Sequence, residues 1–283
     1  MAAMQRSTVA GLAVNRYRPT PPDGPGPLGA ADTADQPVVV VVHGALDRAS
    51  SLGRLCRQLP ELDVVAYDRR GYGRSLGLGV ATGLDDHVDD LEAIVHDLGR
   101  PVVLVGHSFG GLVVMDAAAR LGDRVQGTLT YESPAHWLAN HRMQPYTREI
   151  LDQPDPGVAA EEFMRRVVGD DAWERLPPST KAARRAEGGA LLADLRALPQ
   201  DGPPFDPEAV TARMVVAYGG ASEDRLRRAA TDMAAAFPHA RVAVVPGAEH
   251  PVHLTHPREL AALVRSVLAT VGDGVVDPIE GAA

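Results

Sequence analysis

Six short apolar runs constrain the fold of this chain most: Val38 to Val42, Val64 to Tyr67, Pro101 to Val105, Thr128 to Tyr131, Met214 to Tyr218 and Val242 to Val245. Several are β-branched throughout, and helix-like segments alternate with them. An uninterrupted valine run suits a strand covered on both faces, because neither side of such a strand meets water. Alternation of these runs with helices points to a parallel sheet sandwiched between helices. The expected fold class is therefore α/β, with a mostly parallel central sheet flanked by helices.

From Ala135 to about Thr211 the strand signal lapses and helical spacing takes over, as in Phe163/Val167 and Leu191/Leu192/Leu195/Leu198. That block reads as an inserted helical cap. It divides the 283 residues into a core of residues 1–134 and 211–283 and a cap of residues 135–210. A last helix opens near Pro257 and carries Leu260, Leu263, Val264, Val267 and Leu268 on one face, for packing on the sheet. Between Pro19 and Pro37 a stretch rich in Pro, Gly and Ala cannot hold a ladder and reads as a flexible surface loop.

Composition narrows the function classes. A net charge of −9 provides no global basic field to hold a polyanion, so a nucleic-acid partner is not expected, and a small neutral substrate fits better. Cys56 is the one cysteine, which excludes an internal disulfide framework or a thiolate metal cluster. Its helical, apolar neighbourhood makes it a small core residue. The first sixteen residues lack the basic start and continuous apolar segment of a secretory signal, and no later stretch is long and apolar enough to cross a bilayer. These features fit a soluble, cytoplasmic protein with no membrane insertion.

The sharpest chemical signal is Gly106-His107-Ser108-Phe109-Gly110, set between the run ending at Val105 and the Ala-rich, helix-favouring segment Gly111 to Arg120. A strand-to-helix turn this tight strains its central residue and needs small neighbours, which Gly106, Gly110 and Gly111 supply. It would hold the Ser108 hydroxyl at the carboxyl edge of the sheet beside a helix N-terminus. Gly73-Arg74-Ser75-Leu76-Gly77 has the same pattern of residues, but Gly77 and Gly79 stand where its helix should begin. Ser108 is the expected nucleophile, and Ser75 is not.

Taken with Val42-His43-Gly44-Ala45, with Asp68-Arg69-Arg70-Gly71-Tyr72-Gly73-Arg74-Ser75 and with Gly247-Ala248-Glu249-His250, this elbow resembles the α/β-hydrolase superfamily across nearly the whole chain. The resemblance implies a serine hydrolase that needs no cofactor and no metal. His250 follows the last strand and is similar to the family's histidine, although Glu249 stands where a second glycine is usual. It is the expected base for a serine that is a poor nucleophile unaided. The amides of Ala45 and Phe109 match the family's oxyanion hole. Residues 68–75 correspond to a turn in which Asp68, Arg69 and Arg70 are structural.

The third member of the triad has two candidates. The usual position follows the seventh strand, where the sequence has Gly219-Gly220-Ala221-Ser222-Glu223-Asp224. Glu223 is placed to serve there, but Ser222-Glu223-Asp224 also reads as an N-cap and acidic first turn. Glu132, in Tyr131-Glu132-Ser133-Pro134, ends the sixth strand where Pro134 delays a helix. A Tyr-Glu-x-Pro segment paired with a Gly-Gly-x-Ser loop resembles family members whose acid sits at that alternative position, and Glu132 is favoured.

Other features take bland readings. Asp85 to Asp90 is an acid-rich, solvated helix start. His253 and His256, three residues apart, line the pocket mouth rather than a metal, because Pro251 and Pro257 break regular presentation. The cap is expected to cover the pocket, its helices carrying apolar residues such as Trp137, Phe163 and Trp173, and which of these face the substrate is left open. Ester cleavage is the favoured chemistry. Lactone or thioester hydrolysis, carbon-carbon bond cleavage, acyl transfer and a non-enzymatic receptor on the same scaffold stay open at this level, whereas a serine at the elbow disfavours the aspartate-based relatives that hydrolyse epoxides or haloalkanes.

Overall fold

The computed structural model describes residues 4–19 and 36–272. Most of the Pro-rich stretch lies outside them. Eight strands form one sheet: β1 (Met4–Val9), β2 (Leu12–Tyr17), β3 (Val38–Val42), β4 (Val64–Tyr67), β5 (Val102–His107), β6 (Val125–Tyr131), β7 (Arg213–Gly219) and β8 (Ala240–Val245). Their order across the sheet is β1-β2-β4-β3-β5-β6-β7-β8. From β4 to β8 every neighbouring pair is parallel.

The valine runs behave as two-faced strands. Val38, Val40 and Val42 belong to the core on one side of the sheet and Val39 and Val41 to the core on the other, none more than 1% exposed. Burying each such side chain contributes roughly 1.5–3 kcal/mol, which is why five consecutive valines hold the middle of the sheet. Helices Leu84–Leu98, Phe109–Leu121 and Asp224–Ala235 cover the first face, and Pro257–Gly272 the second. Cys56 is fully buried in the second core, where burial pushes its thiol up to about 12.

The structure adds an antiparallel hairpin that the apolar runs did not announce, because β1 is exposed along nearly its whole length. Ala10 and Gly11 turn it with φ of 50° and 84°, the doubly positive conformation that matches the strand twist of a two-residue hairpin. Ser75 finds its role here. Its buried Oγ accepts a hydrogen bond from Ala13 N at 2.9 Å, so the second serine motif ties the hairpin to the turn after β4.

Helices Pro145–Leu151, Pro156–Val168, Asp170–Glu174, Pro178–Ala186 and Gly188–Arg196 lie between β6 and β7 and form the helical insertion. Two buried carboxylates tie it to the core. Glu187 accepts hydrogen bonds from Arg48 Nε at 2.8 Å and Gly73 N at 2.7 Å. Asp194 takes Arg69 in a bidentate pair at 3.0 and 2.6 Å, Tyr72 Oη at 2.7 Å and the His87 ring at 2.9 Å.

These bonds correct the reading of the acidic run at 85–90. His87 and Asp90 are buried, the latter holding Arg70 bidentately at 2.7 and 2.6 Å, because the helix presents one face inward whatever its charge. Two of the three cap aromatics pack into the interior. Trp173 is fully buried within the cap, with Nε1 donating to Glu161 at 3.1 Å. Trp137 packs edge-on against Phe205 and Phe237 at 6.3 and 6.4 Å.

Candidate active site

The glycines around Ser108 are required by contact. A Cβ on Gly106 would stand 2.5 Å from Gly110 O, and one on Gly110 would stand 2.3 Å from Val42 O. With that crowding relieved, β5 turns directly into helix Phe109–Leu121, and Ser108 sits at φ 51°, ψ −126°. Such a conformation costs a non-glycine residue on the order of 1–3 kcal/mol and persists where the surroundings enforce it. Among the described residues only Ala10, Leu46, Ser108 and Glu132 are non-glycines with positive φ. Three of these four border one cavity or the loop beside it, so backbone strain is concentrated at the site.

That cavity, of about 230 Å³, is lined by Ser108, Phe109, Ala45, Glu132 and His250 on its core side. It is smaller than the ~300–1,000 Å³ of sites for drug-sized ligands. Glu132, at φ 47° just past β6, is 3% exposed and turns its carboxylate toward the end of β8. Its Oε2 lies 2.8 Å from His250 Nδ1. Its Oε1 accepts from Gly219 N at 2.9 Å and Ser222 Oγ at 2.5 Å. Burial raises the carboxyl's pKa, but the bonds and charge from His250, followed by Ser222 and Gly219, outweigh it and hold the group below its ordinary range.

With Nδ1–H given to Glu132, the tautomer leaves the lone pair of His250 on Nε2, which has no hydrogen-bond partner among the described residues. Ser108 and His250 share the cavity wall without a direct hydrogen bond. The hydroxyl swings about a single bond, and such contacts in unliganded sites are commonly looser than in complexes.

The rival acids go elsewhere. Glu223 is exposed and pairs with Arg225 at 2.8 Å, and Asp224 pairs with Arg227. Ser222 caps no helix, since its hydroxyl is spent on Glu132. Glu249 in place of glycine is accommodated simply: its φ is not positive, its side chain is exposed, and its carbonyl accepts Tyr131 Oη at 3.0 Å.

The oxyanion candidates are set by the loop after β3. Phe109 N–H is the first amide of its helix and so has no intrahelical acceptor. Ala45 N–H belongs to the peptide whose carbonyl is Gly44 O, and that carbonyl accepts Arg69 Nη2 at 3.2 Å. Arg69 Nε donates to His43 O at 3.1 Å, and Arg69 N donates to His43 Nε2 at 2.9 Å. His43 Nδ1 completes its bonding with Gly44 O at 2.7 Å. An imidazole that accepts at one nitrogen and donates at the other is neutral, and burial, then the Arg69 charge, lower its pKa to about 4. Arg69 therefore acts beyond its own turn: fully buried, it holds the peptide plane of Ala45 from below while its far end grips Asp194 of the cap. No local signal distinguished it from its neighbour Arg70.

Neither His253 nor His256 lines the cavity. His253 is buried behind the site, its Nε2 3.2 Å from Asp47 Oδ2 and its ring 4.7 Å from that of His107. Asp47, His107 and His253 bring donor atoms within 4.8 Å of one another, a set of two imidazoles and a carboxylate able to hold a divalent cation. The 250–256 spacing alone could not show it, because Asp47 comes from the loop after β3 and His107 from the end of β5. His107 has a visible structural task, its Nε2–H donating to His250 O at 2.8 Å.

A mostly parallel sheet with a strained serine after β5, a histidine after β8 and an interposed helical insertion defines an α/β hydrolase. The alpha/beta hydrolase family model matches residues 39–263, and the chain belongs to that family. Lipase LipV of Mycobacterium tuberculosis is 35% identical over 154 residues, 54% of this chain, and the chain spans only 55% of LipV's length. The 2-succinyl-6-hydroxy-2,4-cyclohexadiene-1-carboxylate synthase of Serratia proteamaculans is 26% identical over 261 residues, covering 84% of this chain and 96% of that protein. Among solved structures, an alpha/beta hydrolase from Sphaerobacter thermophilus superimposes with a TM-score of 0.69 at 22% identity, covering 93% of this chain and 99% of its own. No helix among the described residues is long and apolar enough to cross a membrane.

Proposed function

We propose that the protein is a serine hydrolase that cleaves small esters through an acyl-enzyme, with Ser108 as nucleophile, His250 as general base and Glu132 as the acid that orients His250. His250 Nε2 takes the Ser108 proton as Oγ attacks the acyl carbon, and the oxyanion is held by the amides of Ala45 and Phe109. The tetrahedral intermediate collapses with cleavage of the ester C–O bond, the leaving alkoxide receiving that proton. Water then repeats the sequence on the acyl-enzyme and releases the acid. One observation carries the reading: the 2.8 Å contact between His250 Nδ1 and Glu132 leaves an unshared Nε2 on the cavity that the strained Ser108 also borders.

Fluorophosphonate labelling tests it. The wild-type protein is expected to be modified at Ser108 and to hydrolyse short-chain p-nitrophenyl esters, and Ser108→Ala to do neither. Labelling absent from the wild type, or undiminished in Ser108→Ala, would overturn the assignment.

A further inference from the structure

The cap side of the cavity has a charge opposite to that of the whole chain. Arg142, Arg166 and Arg225 line it, with Glu223 the one carboxylate there besides the engaged Glu132. Arg225 is matched by Glu223 at 2.8 Å. Among the described residues Arg142 and Arg166 have no carboxylate partner, and the Arg166 guanidinium rests over the Tyr146 ring at 5.0 Å. The remaining titratable neighbour, His141, is taken by Asp232 at 2.7 Å. Two cations thus face a small cavity unneutralised, in a protein whose formal charge is −9. Unpaired polar atoms share the wall. Ser133 Oγ, on a residue 4% exposed, and His136 Nδ1 are buried without a hydrogen-bond partner among the described residues. A buried polar atom left unsatisfied is costly, and a ligand at a site is one way to satisfy it. Burial, then the charges of Arg225 and His141, lower the pKa of His136 to about 4, as expected where the local potential is positive.

The same wall carries the apolar side chains Phe163, Leu195, Leu198 and Leu226. Resting on the serine-hydrolase reading, we propose that the site selects anionic acyl substrates: esters whose acyl chain ends in a second, ionised carboxylate, held by Arg142 and Arg166 while an apolar spacer lies along the cap. Guanidinium groups suit a carboxylate because their paired donors match its two oxygens. The small neutral substrate expected from the net charge is replaced by one chosen by local charge.

The test compares monomethyl adipate with its terminal-amide isostere, which has the same shape but no charge. Wild type is expected to favour the carboxylate in kcat/KM by about tenfold at low salt, the size that a few partly exposed charge pairs provide. The preference should shrink toward one at high ionic strength. Arg142→Gln with Arg166→Gln should abolish it, whereas Arg148→Gln, an exposed arginine off the cavity, should leave it unchanged. Independently of turnover, adipate should protect Ser108 from fluorophosphonate at concentrations where adipamide does not. Labelling with equal protection by both compounds, or a wild-type preference that survives the double substitution, overturns the anion-selection proposal alone. Absence of labelling overturns the hydrolase reading and this proposal with it.

Discussion

The floor of the cavity and its roof are built on different principles. The floor is made of strand ends in strained conformations, its framework fixed by short bonds: Glu132 to His250, Ser222 and Gly219, and Arg69 to His43, Gly44 and Asp194. The roof meets the cavity with long, exposed arginines, Arg142 and Arg166, and with apolar side chains such as Phe163. Geometry held in advance is what a chemical step needs, and adaptable contact is sufficient for choosing what enters. Substitutions in the floor should therefore act on kcat, and those in the roof on KM and on preference.

The most demanding test of that contrast sets Glu132 against Glu223, one acid from each surface. Glu132→Gln is expected to cut kcat by on the order of 10³ to 10⁴, as loss of the orienting carboxylate does in other triads, while Glu223→Gln stays within roughly twofold because its side chain is solvated. Steady-state ester hydrolysis decides, and the reverse ranking would move the acid to the loop after β7.

Next comes Arg69, buried beneath the cavity and bonded both to the loop after β3 and to Asp194 of the helical insertion. Arg69→Met leaves Asp194 buried with its main cationic partner gone, which should destabilise the fold by about 3–5 kcal/mol in urea unfolding. If the Ala45 peptide plane depends on it, Arg69→Lys, which keeps the charge but loses the fork, should lower kcat about tenfold or more with little change in KM. Equal kcat in a folded Arg69→Lys protein would confine Arg69 to tethering the cap.

The floor should also govern acid sensitivity. His43 is neutral when folded down to about 4 but takes a proton near 6.5 when unfolded. The unfolded state thus binds more protons between those values, so its contribution is complete above about 6.5 and is lost as pH falls through 4, roughly 3 kcal/mol in all. Glu132 acts in the same direction at lower pH, since its carboxyl is held below its unfolded value. Unfolding curves measured from pH 7 to 4 should lose stability progressively, and His43→Gln should flatten that slope. An unchanged slope would exclude His43 as the source.

The smallest expected effect separates two cap aromatics. Phe163→Ala, on the cavity wall, should change KM a few-fold, whereas Trp173→Ala, inside the cap, should cost stability by about 3–5 kcal/mol with little change in substrate preference. An altered preference in the Trp173 variant would mean that the cap's interior sets the shape of the roof.

Much of the fold was legible in the chain because it depends on near neighbours. Five valines in a row can serve only a strand covered on both faces, and the glycines about Ser108 mark a turn where a Cβ has no room. The β1–β2 hairpin was not legible, since an exposed edge has no apolar run to betray it. His87 and Asp90 were misjudged because charge on a helix says nothing of which face turns inward. Which cap aromatics face the cavity stayed open in the sequence because an aromatic residue in a cap can fill the cap's own interior as well as cover a pocket.

By itself, then, the sequence determined the six strands from β3 to β8, the strained elbow and the chain order of the candidate groups, all consequences of local sterics and periodicity. Tertiary structure decided which carboxylate meets His250, 118 residues away, and that Arg69 joins the loop after β3 to Asp194, 125 residues away. It also decided the sign of the cavity's charge, which the net charge of the chain did not foretell. Desolvation and Coulomb interaction depend on distances through space, and those exist only once the sheet has brought its strand ends together under the cap.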